Sequence, residues 1–121
     1  MIDGLAKTYH ICYVMTWTVT YLNEDVQAEI TALPRDIRSK FERIVMMVQE
    51  YGLERVHEPY VKHIEGPIWE MRMKGRDNIA RAFYVTATQK RVVVVHSFVK
   101  KTQKTPRREI EKALRRAQEV E

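Results

Sequence analysis

The sequence contains a single cysteine, Cys12. A disulfide-stapled scaffold is therefore excluded, and no cysteine–histidine cluster has the spacing of a zinc site. Glycine and proline are scarce, with four of each, so the chain is neither collagen-like nor a low-complexity linker. Long hydrophobic runs are missing as well. The valine run 92–95 stops after four residues, whereas a membrane helix needs roughly 20. Lys7 is followed only by a brief mixed stretch, which does not read as a signal peptide. No membrane contact and a cytoplasmic location are expected. A glycine-rich phosphate loop, a nucleophile elbow and an HExxH helix are all absent. Nucleotide hydrolysis, acyl transfer and zinc proteolysis thus have no support, and neither metal nor cofactor is expected.

What is present suffices for one domain. The 121 residues are 45% hydrophobic and 31% charged, enough for a single core under a soluble surface. Residues 1–14 lack periodicity and read as an N-terminal extension, leaving 15–121 as the compact domain. The net charge is +5, from 21 basic and 16 acidic residues. Residues 99–116 carry eight of the basic and two of the acidic residues, so that segment is +6 and the remainder −1. Such a concentrated basic patch attracts polyanions, a phosphate backbone among them. A solvated helix face would look the same by charge alone.

Periodicity supplies the elements. Residues 16–22 are rich in β-branched and aromatic side chains and read as a strand. Asn23, followed by Glu24 and Asp25, is a helix start, and the helix runs to about Leu33 before Pro34. A second helix spans 35–51, with Ile37, Phe41, Ile44, Val45 and Val48 on one face and Gly52 at its C-terminal end. Residues 68–74 alternate, with Trp69, Met71 and Met73 expected as core under the helices. Strands at 79–87 and 91–98 follow. His96 shares the apolar register of Val92, Val94 and Phe98 and reads as a satisfied core histidine. A final helix spans 106–120, with a capping hydroxyl from Thr105 and proline in the first turn. The expected order is β-α-α-β-β-β-α. It describes an α+β domain whose helical hairpin packs on one face of a small, mainly antiparallel sheet, with a basic C-terminal helix.

Glu70, Arg72 and Lys74 occupy the polar side of their strand, Arg81 lies on the next, and Lys100 and Lys101 follow the last. A sheet face with a carboxylate and several cations must meet water or a ligand.

Three stretches together carry a family resemblance: GPIWEMR at 66–72, RAFY at 81–84, and VVHSFVKKTQKTP at 94–106, followed by the basic helix. In this order and spacing they resemble the phage-derived, HigB-like branch of the RelE/ParE toxin superfamily, over roughly 66–117. The resemblance implies a RelE-like fold and a toxin of a type II toxin–antitoxin system. It further implies an endoribonuclease that cleaves mRNA on the ribosome without metal. A base would take the ribose 2′-OH proton and the oxygen would attack the adjacent phosphorus. Cations would stabilise the phosphorane, leaving a 2′,3′-cyclic phosphate and a 5′-OH. The partner would be a cognate antitoxin, usually a helix-turn-helix, HigA-like protein.

Carried across residue by residue, the resemblance assigns phosphate stabilisation to Arg81 and Arg72. Lys100 and Lys101 form the basic pair after the last strand, one holding RNA and one near the leaving oxygen. Lys101 is counted with the catalytic group, and Lys62, Lys74, Lys100, Lys104, Arg107 and Arg108 with the RNA-binding one. Either Glu70 or Glu58, the latter within EPYVK at 58–62, would be the base. Several family members end with a catalytic His or Tyr, whereas this chain ends RAQEVE. A second class of function shares the fold: a non-catalytic or gyrase-targeting module neutralised by an antitoxin. Under either reading, an acidic antitoxin segment would associate with the basic region at a salt-sensitive rate.

Overall fold

A computed structural model describes residues 16–121; the N-terminal extension assigned to 1–14 lies outside the described residues. Strand β1 (Thr18–Tyr21) leads into helix α1 (Glu24–Thr31). Asn23 caps it as its position implies, the side-chain oxygen accepting from the Val26 N–H at 3.0 Å. The helix ends two residues before Leu33, because the Leu33 N–H tightens onto Ile30 O at 3.1 Å. Pro34 then opens α2 (Arg35–Tyr51), and Gly52 stops it at φ +87°, a conformation that side chains resist.

Strand β2 (Val61–Glu65) is absent from the sequence reading. It pairs antiparallel with β3 (Ile68–Lys74) across a turn in which Gly66 takes φ +54°. At the sheet edge β2 fully buries only Val61, so it lacks the alternation by which a strand is recognised. Strands β4 (Ile79–Ala87) and β5 (Arg91–Lys100) complete the antiparallel run, and β1 pairs parallel to β5, giving the order β1-β5-β4-β3-β2. The element order is thus β-α-α-β-β-β-β-α. Helix α3 (Arg107–Ala117) is shorter than 106–120; Pro106 itself takes the cap position and no side chain caps the helix, Thr105 included.

The helices divide between the two faces of the sheet. Helices α1 and α2 bury Val26, Ile30, Ile37, Phe41, Ile44 and Val48 against Met71, Met73, Ala82, Tyr84, Val92 and Val94. On the opposite face, Ala113 of α3, flanked by Ile110, Leu114 and Ala117, covers Ile68, Phe83, Val85, Val93 and Val95. Adjacent residues Phe83 and Tyr84 are both buried, one in each core, which is why β4 reads as a continuous apolar run. Trp69 is not core. It remains 39% exposed and meets the edge of His63 at a ring distance of 5.2 Å. His96 is buried and bonded, yet not beside Val92 and Val94. The register shift opposite Phe83/Tyr84 turns it toward Phe83 and Phe98 on the α3 side. Among the described residues, no helix is long and apolar enough to cross a membrane.

Candidate functional site

Helix α3 covers only part of its sheet face, and the uncovered part carries the cations. Pairing sets them in rows: Arg72 lies opposite Arg81, which lies opposite Phe98, and the next row is Lys74, Ile79 and Lys100. Successive rows on one face lie about 7 Å apart along the strands. Two arginines directly across from one another repel. Glu70, two residues before Arg72 on the same face, offsets this, its carboxylate lying 3.2 Å from Arg81 Nε and 3.5 Å from Arg72 Nε. Glu70 and Arg81 are both buried while Arg72 stays partly exposed. Arg81 also donates from Nη1 to the Ala80 carbonyl at 3.1 Å.

Above these residues opens a groove of about 1050 Å³. Seven cations line it (Lys40, Arg43, Arg72, Lys74, Arg81, Lys100 and Lys101), together with Tyr60, Ile79, Thr102 and Gln103, and no carboxylate is part of the lining. The field is strong enough to be felt by its members. Partial burial lowers the pKa of Lys100, Arg81 lowers it further, Glu70 opposes, and Arg72 and Lys62 add to the fall. Burial likewise lowers Arg81, against the pull of Glu70.

The sequence-derived residues divide among several places. Arg72, Lys74, Arg81, Lys100 and Lys101 converge on this groove, and Glu70 lies directly beneath its two arginines. Glu58 does not join them. It lines a separate groove of about 840 Å³ with Trp17, His57, His63 and Trp69. Lys62 also borders that second groove, although its register partner is Glu70. Lys104, Arg107 and Arg108 line neither groove. The Arg107 guanidinium is occupied by Glu65, at 2.6 and 3.0 Å, and by Glu111 at 3.4 Å. Arg108 lies 3.9 Å from Glu109.

Sequence reasoning missed Lys40, Arg43, Tyr60 and Ile79. The helical period of α2 does place Lys40 and Arg43 beside the apolar stripe at Ile44, but which strand they would meet depends on long-range packing. Among the described residues, no group of three or more His, Cys, Asp or Glu side chains is arranged to hold a metal.

A sequence model of the family described as "Phage derived protein Gp49-like (DUF891)" matches residues 28–118. That span contains every residue of the groove. Among solved structures, the chain is similar to one titled "Crystal structure of archaeal RelE-RelB complex from Pyrococcus horikoshii OT3". The TM-score is 0.51 at 19% identity, covering 75% of this chain and 100% of that one. The likeness establishes a RelE-like fold. No curated protein matches the chain.

Proposed function

Because this chain belongs to the phage-derived Gp49-like family and folds as the RelE-like toxins do, we propose that it is the toxin of a type II toxin–antitoxin pair, of the HigB-like branch, and cleaves mRNA in the basic groove. The observation that carries this reading is the convergence of seven cations from α2, β3, β4 and β5 and the loop after β5 on one groove without a lining carboxylate. A phosphodiester passing through a phosphorane develops negative charge on its non-bridging oxygens, which preorganised cations stabilise more in the transition state than in the ground state. Arg72 and Arg81 are the pair for this task. Their Nε atoms face Glu70, so their orientation is fixed before substrate arrives.

Proton transfer falls to two neighbours. Lys100, with its lowered pKa, gives up a proton more readily than an isolated lysine and suits the leaving 5′ oxygen. Lys101, beside it, then serves RNA holding. Of the two carboxylates considered as base, Glu70 is the nearer, lying beneath the groove against Arg72 and Arg81, whereas Glu58 lies in the other groove. The ribosome would present the mRNA, a helix-turn-helix antitoxin of the HigA type would block the groove, and both events would take place in the cytoplasm.

The test is induced expression with mapping of mRNA 5′ ends, wild type beside Arg81→Lys. Lysine keeps a charge opposite buried Glu70 but loses the planar fork that can clamp a phosphate. Growth arrest with new 5′-OH ends inside coding regions, reduced about 100-fold or more in the variant, is the expected result. Arrest without cleavage would replace the nuclease reading with the gyrase-targeting or binding-module one.

A further inference from the structure

The groove is not uniformly basic. Tyr60 and Ile79 both line it, at 41% and 38% exposure, which sets them among the few large apolar side chains that the fold leaves open. Their neighbours are cations. The Tyr60 carbonyl accepts from the Arg72 N–H at 2.8 Å, placing Tyr60 at the end of the Arg72–Arg81 row. Ile79 sits between Lys74 and Lys100 in the next row. Phosphate recognition alone has no use for an exposed ring there. A single-stranded polynucleotide does, because it offers alternating phosphates and unstacked base faces. Aromatic side chains set among cations are how such strands are held without regard to sequence. Neither core includes Tyr60, and its ring forms no aromatic contact with another described residue.

We propose that Tyr60 is the base-stacking residue of this groove, receiving one nucleobase of a single-stranded RNA whose phosphates lie along Arg72, Arg81 and Lys100, with Lys40 and Arg43 of α2 lining the same groove. This rests on reading the groove as an RNA site and adds what that reading leaves open: a contact to a base rather than to the backbone. Tyr60 is then a binding and positioning residue, and the reaction chemistry stays with the arginines and Lys100.

The experiment measures binding of a 2′-O-methyl uridine hexamer, which cannot be cleaved, and of an abasic hexamer of the same backbone. Full-length wild type is compared with Tyr60→Ala, Tyr60→Phe and Arg72→Ala over a salt series. Tyr60→Ala is expected to weaken the uridine hexamer about tenfold and to leave the abasic hexamer and the salt slope unchanged, with Tyr60→Phe close to wild type. Salt-dependent hexamer binding that Arg72→Ala weakens and Tyr60→Ala does not would overturn the stacking assignment alone. Equal losses on both hexamers would do the same, marking Tyr60 as structural. Hexamer binding that neither salt nor Arg72→Ala affects would overturn the groove's RNA reading, and this proposal with it.

Discussion

Strand β1 ends at Tyr21, opposite Val94, and its last bond to β5 is from the Leu22 N–H to Val94 O at 2.9 Å. Beyond that point β5 has no strand neighbour on this side, and its backbone groups need other partners. Glu29 of α1 and Arg116 of α3 supply them. Glu29 Oε1 accepts from the Ser97 N–H at 3.0 Å, and Arg116 Nη1 donates to Val95 O at 2.8 Å. The two side chains also pair with one another at 3.0 Å. Both reach His96, whose ring nitrogens lie 3.2 Å from Glu29 and 2.6 Å from Glu109. One cluster therefore ties α1, α3 and the unpaired end of β5 together.

Replacing Glu29 by Gln tests how much that tie contributes. Burial alone would push the Glu29 carboxyl up. The hydrogen bonds from His96, Arg116 and the Ser97 N–H outweigh it and hold the group at about 2, against an ordinary 4.5. That difference corresponds to at most about 3 kcal/mol of folding stability at neutral pH. The side chain is 23% exposed, and solvent screening brings the expected loss to about 2 kcal/mol. At about 4 °C per kcal/mol for a domain of this size, the midpoint should fall by about 8 °C. A depressed carboxyl stabilises fully above its unfolded value and loses that contribution as pH falls through its folded one. The gap between wild type and Glu29→Gln should therefore be constant from pH 7 to about 5, shrink below about 4.5, and be mostly gone near 2. Thermal unfolding of both proteins across that range reads it directly. A variant as stable as wild type at pH 7, or a gap unchanged at pH 3, would refute the reasoning.

Two other perturbations probe the site and its support. The lowered pKa of Lys100 implies that cleavage falls on the alkaline side at a pH below that of an ordinary lysine; Lys100→Arg should remove that limb from the pH–rate profile and slow the reaction at neutral pH, and a profile identical to wild type would remove Lys100 from proton transfer. Gly75, in the β3–β4 turn, packs against the start of α2, where a Cβ would come within 2.5 Å of Asp36 Oδ2 and 2.9 Å of Ile37 Cδ1. Asp36 accepts from the Arg76 N–H at 2.7 Å there, so Gly75→Ala should cost about 1–3 kcal/mol in urea unfolding by overpacking a contact that cannot simply swing away.

Most of the fold is legible where a segment carries its own period or cap. Asn23, Pro34, Gly52 and the 3-4 stripe of α2 announce the helical hairpin locally, and the alternation of β3 and the turn before β4 do the same for the meander. What escapes depends on partners distant in sequence. Strand β2 is a strand because β3 offers it an edge, not because its residues alternate. The side of the sheet taken by α3 follows from β4 being apolar on both faces, a signal present in Phe83-Tyr84-Val85 but ambiguous until the second cover is known. The site behaves likewise: Arg72 and Arg81 lie on strands whose pairing is local, whereas Lys40 and Arg43 join them only through the packing of α2 on β3.

The basic C-terminal segment shows why a charge run is a poor map of a binding surface. Of its cations, Arg107 faces Glu65 and Glu111, Arg108 faces Glu109, and Arg116 faces Glu29. Arg116 is committed to holding the fold, and the Arg107 charge is opposed by two carboxylates. The groove draws instead on Lys100 and Lys101, at the start of that run, and on five cations from α2, β3 and β4 that lie outside it. Those five belong to a remainder of the chain whose net charge is −1. Attraction to an RNA backbone depends on how many cations share one open surface. By that criterion the groove on the sheet, where seven cations converge over one buried carboxylate, is where the proposed RNA contact belongs.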